Sequence, residues 1–343
     1  MNILITGAAG YIGSHLAKQL LESTKHNITI LDNLSTGSLK TLDTLRSIRD
    51  FKFVELDLKE FDKVLELLKD NNFDVIMHFA ASIVVPESVE NPLKYYMNNT
   101  VNTTNLIKCA TEADVQKFIF SSTAAVYGEP KDMPNDGIDE NSLTAPINPY
   151  GMSKLMSERV LQDATNAKED FKYVIFRYFN VTGADIYYDG DELKPRIGQS
   201  FPDATHLIKI ASECAVGKRD KMAIFGDNFD TPDGSGVRDY IHVDDLVAAH
   251  IKAINYLDNN ASDIFNLGYG KGFSVKEVID TMKEVTSTDF DVEVTSKRVG
   301  DPANLIANNN KYKSKFSTKN SPLFKYDDIK LICKSAYLWE NSL

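Results

Sequence analysis

A chain of 343 residues with a 43% hydrophobic share can fill one large domain and a smaller companion. Its 49 acidic against 38 basic residues leave a net charge of −11, which argues against a general binder of nucleic-acid phosphates. No apolar run approaches the roughly 18 residues of a membrane span, and the N-terminus lacks a secretory leader pattern, so a cytoplasmic protein is expected. Cys109, Cys214 and Cys333 are far apart and odd in number, which suggests reduced thiols and neither a disulfide framework nor a metal site.

Along the first half, short apolar runs alternate with helix-like stretches. Asn2 to Thr6, Ile28 to Leu31, Phe51 to Leu56, Val75 to Phe79, Phe118 to Ser121 and Tyr173 to Arg177 read as strands. Most lack polar alternation, as strands buried on both faces do, so the spacing predicts an α/β Rossmann-like domain with a doubly wound parallel sheet. In the opening NILITGAAGYIGSHLAKQLL, Gly7, Gly10 and Gly13 stand between a strand and an amphipathic helix. There a tight turn can bring a pyrophosphate to free N–H groups at the helix start, although a glycine motif alone also suits a structural turn.

Asp32 ends the second strand about twenty residues beyond that loop, where a carboxylate binds ribose hydroxyls and repels a 2′-phosphate. NAD is therefore expected over NADP, with a turn-capping role as the alternative. Asp57, after the third strand, is a weaker adenine-contact candidate that also reads as surface polarity. Thr123 in FSSTAAVYG precedes Tyr150 and Lys154 in NPYGMSK, the last two being neighbours on one helical face. A nearby ammonium and a positive nicotinamide ring favour tyrosinate, so Tyr150 can act as a base, Thr123 can bond the reacting oxygen, and Lys154 can reach the nicotinamide ribose. A lone Tyr-x-x-x-Lys pair is more often structural; the glycine loop and the serine-rich strand before it favour short-chain dehydrogenase chemistry.

After Asn180 the regularity breaks, with loop-rich stretches from Gly183 to Pro202 and from Asp227 to Gly236. The expected division is an NAD-binding domain over 1–179 and a smaller C-terminal substrate domain over 180–343, with a strand and helix near 237–257 returning to the first.

The segments GAAGYIGSH, DNLSTG, HFAAS, SSTAAVYGE, NPYGMSK, RYFNVTGAD, AIFGDNFDTPDGSGVRDYIHVDDL and RVGDPANLIA resemble the UDP-glucose 4-epimerase family of extended short-chain dehydrogenases across nearly the whole chain. The resemblance implies a catalytic set of Thr123, Tyr150 and Lys154. It places Tyr11, Ile12, Asp32, Asn33, Asp57, Leu58, Phe79, Ala80, Asn98 and Phe179 near NAD. For a UDP-sugar it implies Asn180, His206, Leu207, Ala223, Phe225, Arg238, Arg298 and Asp301. Of these the two arginines have the clearest rationale, since guanidinium forks suit phosphate oxygens; the alternatives are a surface ion pair for either arginine and ordinary packing for His206.

The implied reaction removes the sugar 4-hydroxyl proton through Tyr150 while C4 passes hydride to NAD, turns the 4-keto sugar, and returns hydride to its other face. NAD would stay bound throughout. Such enzymes supply UDP-galactose in galactose metabolism, and a homodimer built on a shared helical bundle is implied by the resemblance alone. Some members carry lysine where Ile83 stands and glycine where Pro86 stands, which leaves a cofactor contact open there. Leu305 holds a position that varies in size and is linked to acceptance of N-acetylated sugars.

Three other readings compete. A 4,6-dehydratase would carry an Asp-Glu pair where Ala124 and Ala125 stand, and a uronic-acid epimerase would want a cation for the sugar carboxylate. A non-catalytic NAD sensor would not need Thr123, Tyr150 and Lys154 together.

Overall fold

The computed structural model describes the chain except residues 131–133, 135, 202–204, 299–300 and 319–321. Pro202, the end of the first loop-rich stretch, and residues 299–300 of RVGDPANLIA therefore lie outside the described residues. Two compact units form. The first comprises Met1–Gly128, Thr144–Arg177 and Val247–Phe265, and the second Glu129–Leu143, Tyr178–Leu246 and Asn266–Leu343.

The expected parallel sheet is present. Its strands in chain order are β1 (Asn2–Thr6), β2 (Asn27–Asp32), β3 (Lys52–Glu55), β4 (Val75–His78), β5 (Lys117–Thr123) and β6 (Lys172–Tyr178), with a seventh, Asp263–Leu267. They lie side by side as Asp263–Leu267, β6, β5, β4, β1, β2, β3, the doubly wound arrangement of a Rossmann-like fold. Ile3, Leu4, Ile5, Val75, Ile76 and Met77 are fully buried, which is why the central strands read as unbroken apolar runs. β3, at the edge, is only half-buried, and it carries charge at both ends.

Strand order reverses at β1, which pairs with β2 on one side and β4 on the other. The loops leaving β1 and β4 consequently diverge at the carboxyl edge of the sheet, the place where such folds bind ligands. Helix α1 (Tyr11–Ser23) follows β1 directly. The helix Pro149–Ala167 packs on β5, starting from Asn148, whose side chain accepts the Gly151 N–H at 2.8 Å. Pro149 at its first position has no N–H to leave unpaired.

The second unit has short strands tied together by one carboxylate. Val237–His242 pairs antiparallel with Gly272–Ser274, and parallel with Asn304–Leu305 and Asn180–Thr182. Asp239, on the central strand, is fully buried and accepts the N–H groups of Tyr269, Gly270 and Ala307 at 2.8, 2.8 and 3.2 Å. Segment 129–143 joins this unit because Ile138 bridges Ala307 and its carbonyl accepts the Asn266 amide at 2.7 Å. Strand Val237–His242 thus lies in the second unit, whereas the helix after it, Val243–Asn259, belongs to the first unit from Val247 onward. Among the described residues no helix is long and apolar enough to cross a membrane.

Candidate active site

The glycine loop owes its shape to contacts that only glycine tolerates. Gly7 has φ +78, and a Cβ there would stand 2.6 Å from the Ala80 nitrogen; one on Gly13 would stand 2.5 Å from the Gly7 carbonyl oxygen. The Gly7 N–H bonds the Leu31 carbonyl at 2.9 Å, and the Phe79 N–H bonds the Thr6 carbonyl at 3.0 Å, so the ends of β1, β2 and β4 are stitched around the turn. Gly10 caps α1 without a side-chain bond, and the first turn, with Tyr11, Ile12 and Gly13, carries no acidic residue. A helix start of this kind favours an anion.

Asp32 is buried at the end of β2, with Oδ2 accepting the Ala9 N–H at 3.0 Å and Oδ1 the Leu34 N–H at 2.8 Å. Burial pushes its carboxyl above the ordinary range, and the two N–H groups oppose that shift. Asn33 donates to Asp57 Oδ2 at 2.9 Å because the β2–β3 pairing brings both loops to one edge, and Leu58 beside it is buried. Asn98 sits on a π-helical turn, Tyr96–Val101, and donates to Ser82 Oγ at 3.0 Å. Ile83 is 42% exposed. Phe179 lies in the second unit, where its N–H bonds the Leu267 carbonyl at 3.1 Å.

The catalytic candidates come together within the first unit. Thr123 ends β5 and accepts the Ala125 N–H at 3.1 Å, and its side chain lies near the Tyr150 phenol. Gly151 permits this approach, since a Cβ there would meet the Ala125 carbonyl oxygen at 2.6 Å. Burial holds the Tyr150 phenol above its usual value, and Thr123 opposes the rise. Its ring meets Tyr95 edge-on at 6.4 Å. Lys154 is buried, donates to the Ser121 carbonyl at 2.8 Å and stands 4.9 Å from the Phe120 ring centre. Burial pushes its amine down to about 7, against the pull of the Glu158 carboxylate.

The second unit gathers most of the substrate candidates around two strands. Ala223 and Phe225 lie two apart on Lys221–Phe225, and the Arg298 guanidinium stands 3.6 Å from the Phe225 ring centre. Arg238 pairs in register with Leu305 and makes an ion pair with Asp301. Burial lowers the Arg298 pKa, with Asp301 opposing and Arg238 adding to the shift. Exposed His206 caps the helix Leu207–Ala215, which packs against the Phe225 strand. Asn180 pairs in register with Tyr240, two residues along the same strand from Arg238, and donates to the Asp239 carbonyl at 3.3 Å.

Several residues around the catalytic set were not singled out from sequence. His78 is fully enclosed between Thr6 at 2.7 Å and Thr103 at 2.8 Å, and burial lowers its pKa to about 3, so it is neutral. Glu158, two turns beyond Tyr150, takes a bond from Ser122 and a forked pair from Arg177 Nε and Nη2 at 3.1 and 2.7 Å. The spacing Tyr150, Lys154, Glu158 was a usable signal, since one turn separates each pair; a lone glutamate on a helix nonetheless reads as a surface charge.

The model of the NAD dependent epimerase/dehydratase family matches residues 3–268. A UDP-glucose 4-epimerase from Azospirillum brasilense is 42% identical over 99% of this chain and 92% of its own length. Among solved structures, the UDP-Glc/GlcNAc 4-epimerase from Campylobacter jejuni is 55% identical with a TM-score of 0.85, covering 100% of this chain and 99% of that one. UDP-glucose 4-epimerase from Bifidobacterium longum, in complex with NAD+ and UDP, is 33% identical with a TM-score of 0.89, covering 100% and 98%.

Proposed function

The chain belongs to the NAD dependent epimerase/dehydratase family, and from that premise we propose that it interconverts UDP-glucose and UDP-galactose at C4 with tightly held NAD. The observation that carries the reading is the joining of Thr123, Tyr150 and Lys154 at the carboxyl edge of the sheet that also bears the glycine loop. The residues present fit the cofactor. A Cβ at Gly7 would fill the turn, the first turn of α1 carries no acid to repel a pyrophosphate, and Asp32 offers a carboxylate suited to ribose hydroxyls. Bound NAD supplies hydride acceptance and return.

Tyr150 takes the proton from the sugar 4-hydroxyl and gives it back after the 4-keto sugar has turned. Thr123, beside the Tyr150 phenol, steadies the same oxygen. The protein alone holds the phenol above its usual value, so added base strength has to come from positive charge, which the nicotinamide ring of bound NAD would supply beside Lys154. Ala124 and Ala125 offer no acid or base for eliminating water, which separates this reading from a 4,6-dehydratase. In the second unit, Arg238 and Arg298 suit a diphosphate, and the Ala223–Phe225 backbone suits a uracil edge.

Acceptance of UDP-N-acetylhexosamines is a second reading, favoured by the 55% identity to the Campylobacter jejuni UDP-Glc/GlcNAc 4-epimerase. Leu305, in register with Arg238, is its candidate determinant. A cytoplasmic homodimer completes the proposal. Its support is an apolar face at Val89, Leu93 and Met97, which are 63%, 72% and 59% exposed beside the helix Pro149–Ala167. The deciding experiment supplies purified protein with UDP-galactose, and separately UDP-N-acetylgalactosamine, without added NAD, and follows the 4-epimers by NMR. Conversion of the first supports the reading and conversion of both extends it, whereas failure with both after NAD is added overturns it.

A further inference from the structure

Three consecutive residues at the end of β5 engage three residues spaced one turn apart on the helix Pro149–Ala167. The Ser121 carbonyl takes the Lys154 ammonium at 2.8 Å, the Ser122 hydroxyl bonds Glu158, and the Thr123 side chain lies near enough to the Tyr150 phenol to oppose the rise of its pKa. Glu158 and Arg177 are 1% and 4% exposed. Both oxygens of Glu158 face Arg177, whose Nη1 donates to the Tyr127 hydroxyl at 3.0 Å while the guanidinium lies 5.0 Å from the Tyr127 ring centre. A forked pair this deep is held in one geometry, because either partner alone would be a buried uncompensated charge.

Lys154 and Tyr150 therefore work beside a charge balance made of one anion and one cation. Other titratable groups lie on the elements packed around them, Tyr127 beside Arg177 among them. β4 contributes His78, and the helices before Tyr150 contribute Tyr95, with Glu87 bonded to its hydroxyl. β6 contributes Tyr173 and Arg177. His78 is neutral, as its low pKa requires, and Tyr95 donates to the Val84 carbonyl. Glu158 is the group whose charge reaches Lys154 and favours its protonated form.

We propose that Glu158 and Arg177 are a positioning pair that locks the Tyr150–Lys154 helix face onto the end of β5 and sets the pH range over which the two act. The inference rests on the epimerase reading for its catalytic consequence, and on the shared helix face and the Glu158 charge, independently of that reading, for its effect on Lys154. Removing an anion lowers the pKa of every nearby group and removing a cation raises it, so the two halves of the pair act with opposite sign. A role limited to packing would produce no such opposition.

The test compares Glu158→Gln, Arg177→Met and the double variant Glu158→Leu/Arg177→Met as NAD-loaded full-length proteins. One readout is the acid limb of the pH profile of kcat with UDP-galactose. The other needs no turnover: the Cε resonance of Lys154 in protein carrying carbon-13 lysine, assigned with Lys154→Arg and titrated against pH. Glu158→Gln is expected to move both midpoints down by about one pH unit and Arg177→Met up by a similar amount. The double variant, which replaces the pair with apolar groups and restores charge balance, should return near the parent. Where a single variant does not fold, Ser122→Ala keeps both charges, strips one donor from Glu158, and should shift the midpoint upward. Shifts of the same sign in the two single variants, or an unmoved Lys154 midpoint in any folded variant that should shift it, overturn the proposal. A parent in which Lys154 titrates as expected but no sugar is epimerised overturns the functional reading instead.

Discussion

Replacing Gly7 with alanine tests the glycine loop by two separable penalties. The residue has φ +78, where a side chain costs roughly 1–2 kcal/mol. Its new Cβ would also stand 2.6 Å from the Ala80 nitrogen, 2.8 Å from the Ala80 Cα and 2.9 Å from the Phe79 carbonyl carbon, all backbone atoms that cannot swing aside. Overpacking of that kind adds about 1–3 kcal/mol. Gly190→Ala is the control for the first penalty, since its φ is +62 and nothing lies within 4 Å of the added atom. Gly10→Ala is the control for the second. Its φ is −90 and its Cβ would meet just the Gly7 carbonyl oxygen at 3.3 Å, yet it would intrude on the space above the α1 start. The assay pairs an apparent unfolding midpoint with the NAD released per chain on acid precipitation. Gly7→Ala should unfold about 2–6 °C below Gly190→Ala and lose its NAD, whereas Gly10→Ala should keep the parent's midpoint and still lose NAD. Equal midpoints for the Gly7 and Gly190 variants, or full NAD on Gly10→Ala, would refute the account of the loop.

Tyr150→Phe should lower kcat by about 100-fold to 10000-fold with NAD content unchanged, checked by the NMR assay and by nucleotide release. Asp239 gives a pH signature of stability. Burial pushes its carboxyl up to about 6 from the ordinary 3.8, against three N–H donors. The folded state consequently holds that proton more tightly than the unfolded one, so the stabilisation is complete below pH 3.8 and is lost as pH rises through about 6. Midpoints recorded across this window should fall with rising pH in the parent, and Asp239→Asn should flatten that component. Leu93, 72% exposed beside Val89 and Met97, should on substitution by glutamate convert a dimer to a monomer in light scattering without loss of helix content. A parent that is already monomeric removes the dimer from the proposal.

The sheet of the first unit was legible because burial on both faces leaves little to confuse it. Asn2 to Thr6 matches β1 to the residue, and the other five expected strands differ from β2–β6 by a residue or two at their ends. Asp263–Leu267 went unread: its apolar core is three residues interrupted by Asn266, and its partner β6 precedes it by more than eighty residues. The second unit defeats periodicity for a related reason. Its strands are two to six residues long and are held by Asp239 and Asn266, polar groups that composition assigns to a surface. Glycine spacing and Tyr-x-x-x-Lys spacing revealed the site because both are local. Arg177 and Glu158 escaped because their pairing joins a strand to a helix, and charge in a sequence carries no mark of burial.

The contacts at the end of β5 bear on how this sequence can drift. One residue inserted or deleted between Ser121 and Thr123 would break the match between successive positions at the end of β5 and the turn-spaced residues Tyr150, Lys154 and Glu158, while leaving composition almost untouched. Point replacements here can be graded, as serine to alanine is, whereas a change in length is all or nothing. Variation in chain length among descendants of this protein should therefore accumulate elsewhere, as at the Gly190 turn where a side chain meets open space, and the stretch from Phe118 to Tyr127 should remain constant in length even where its letters change.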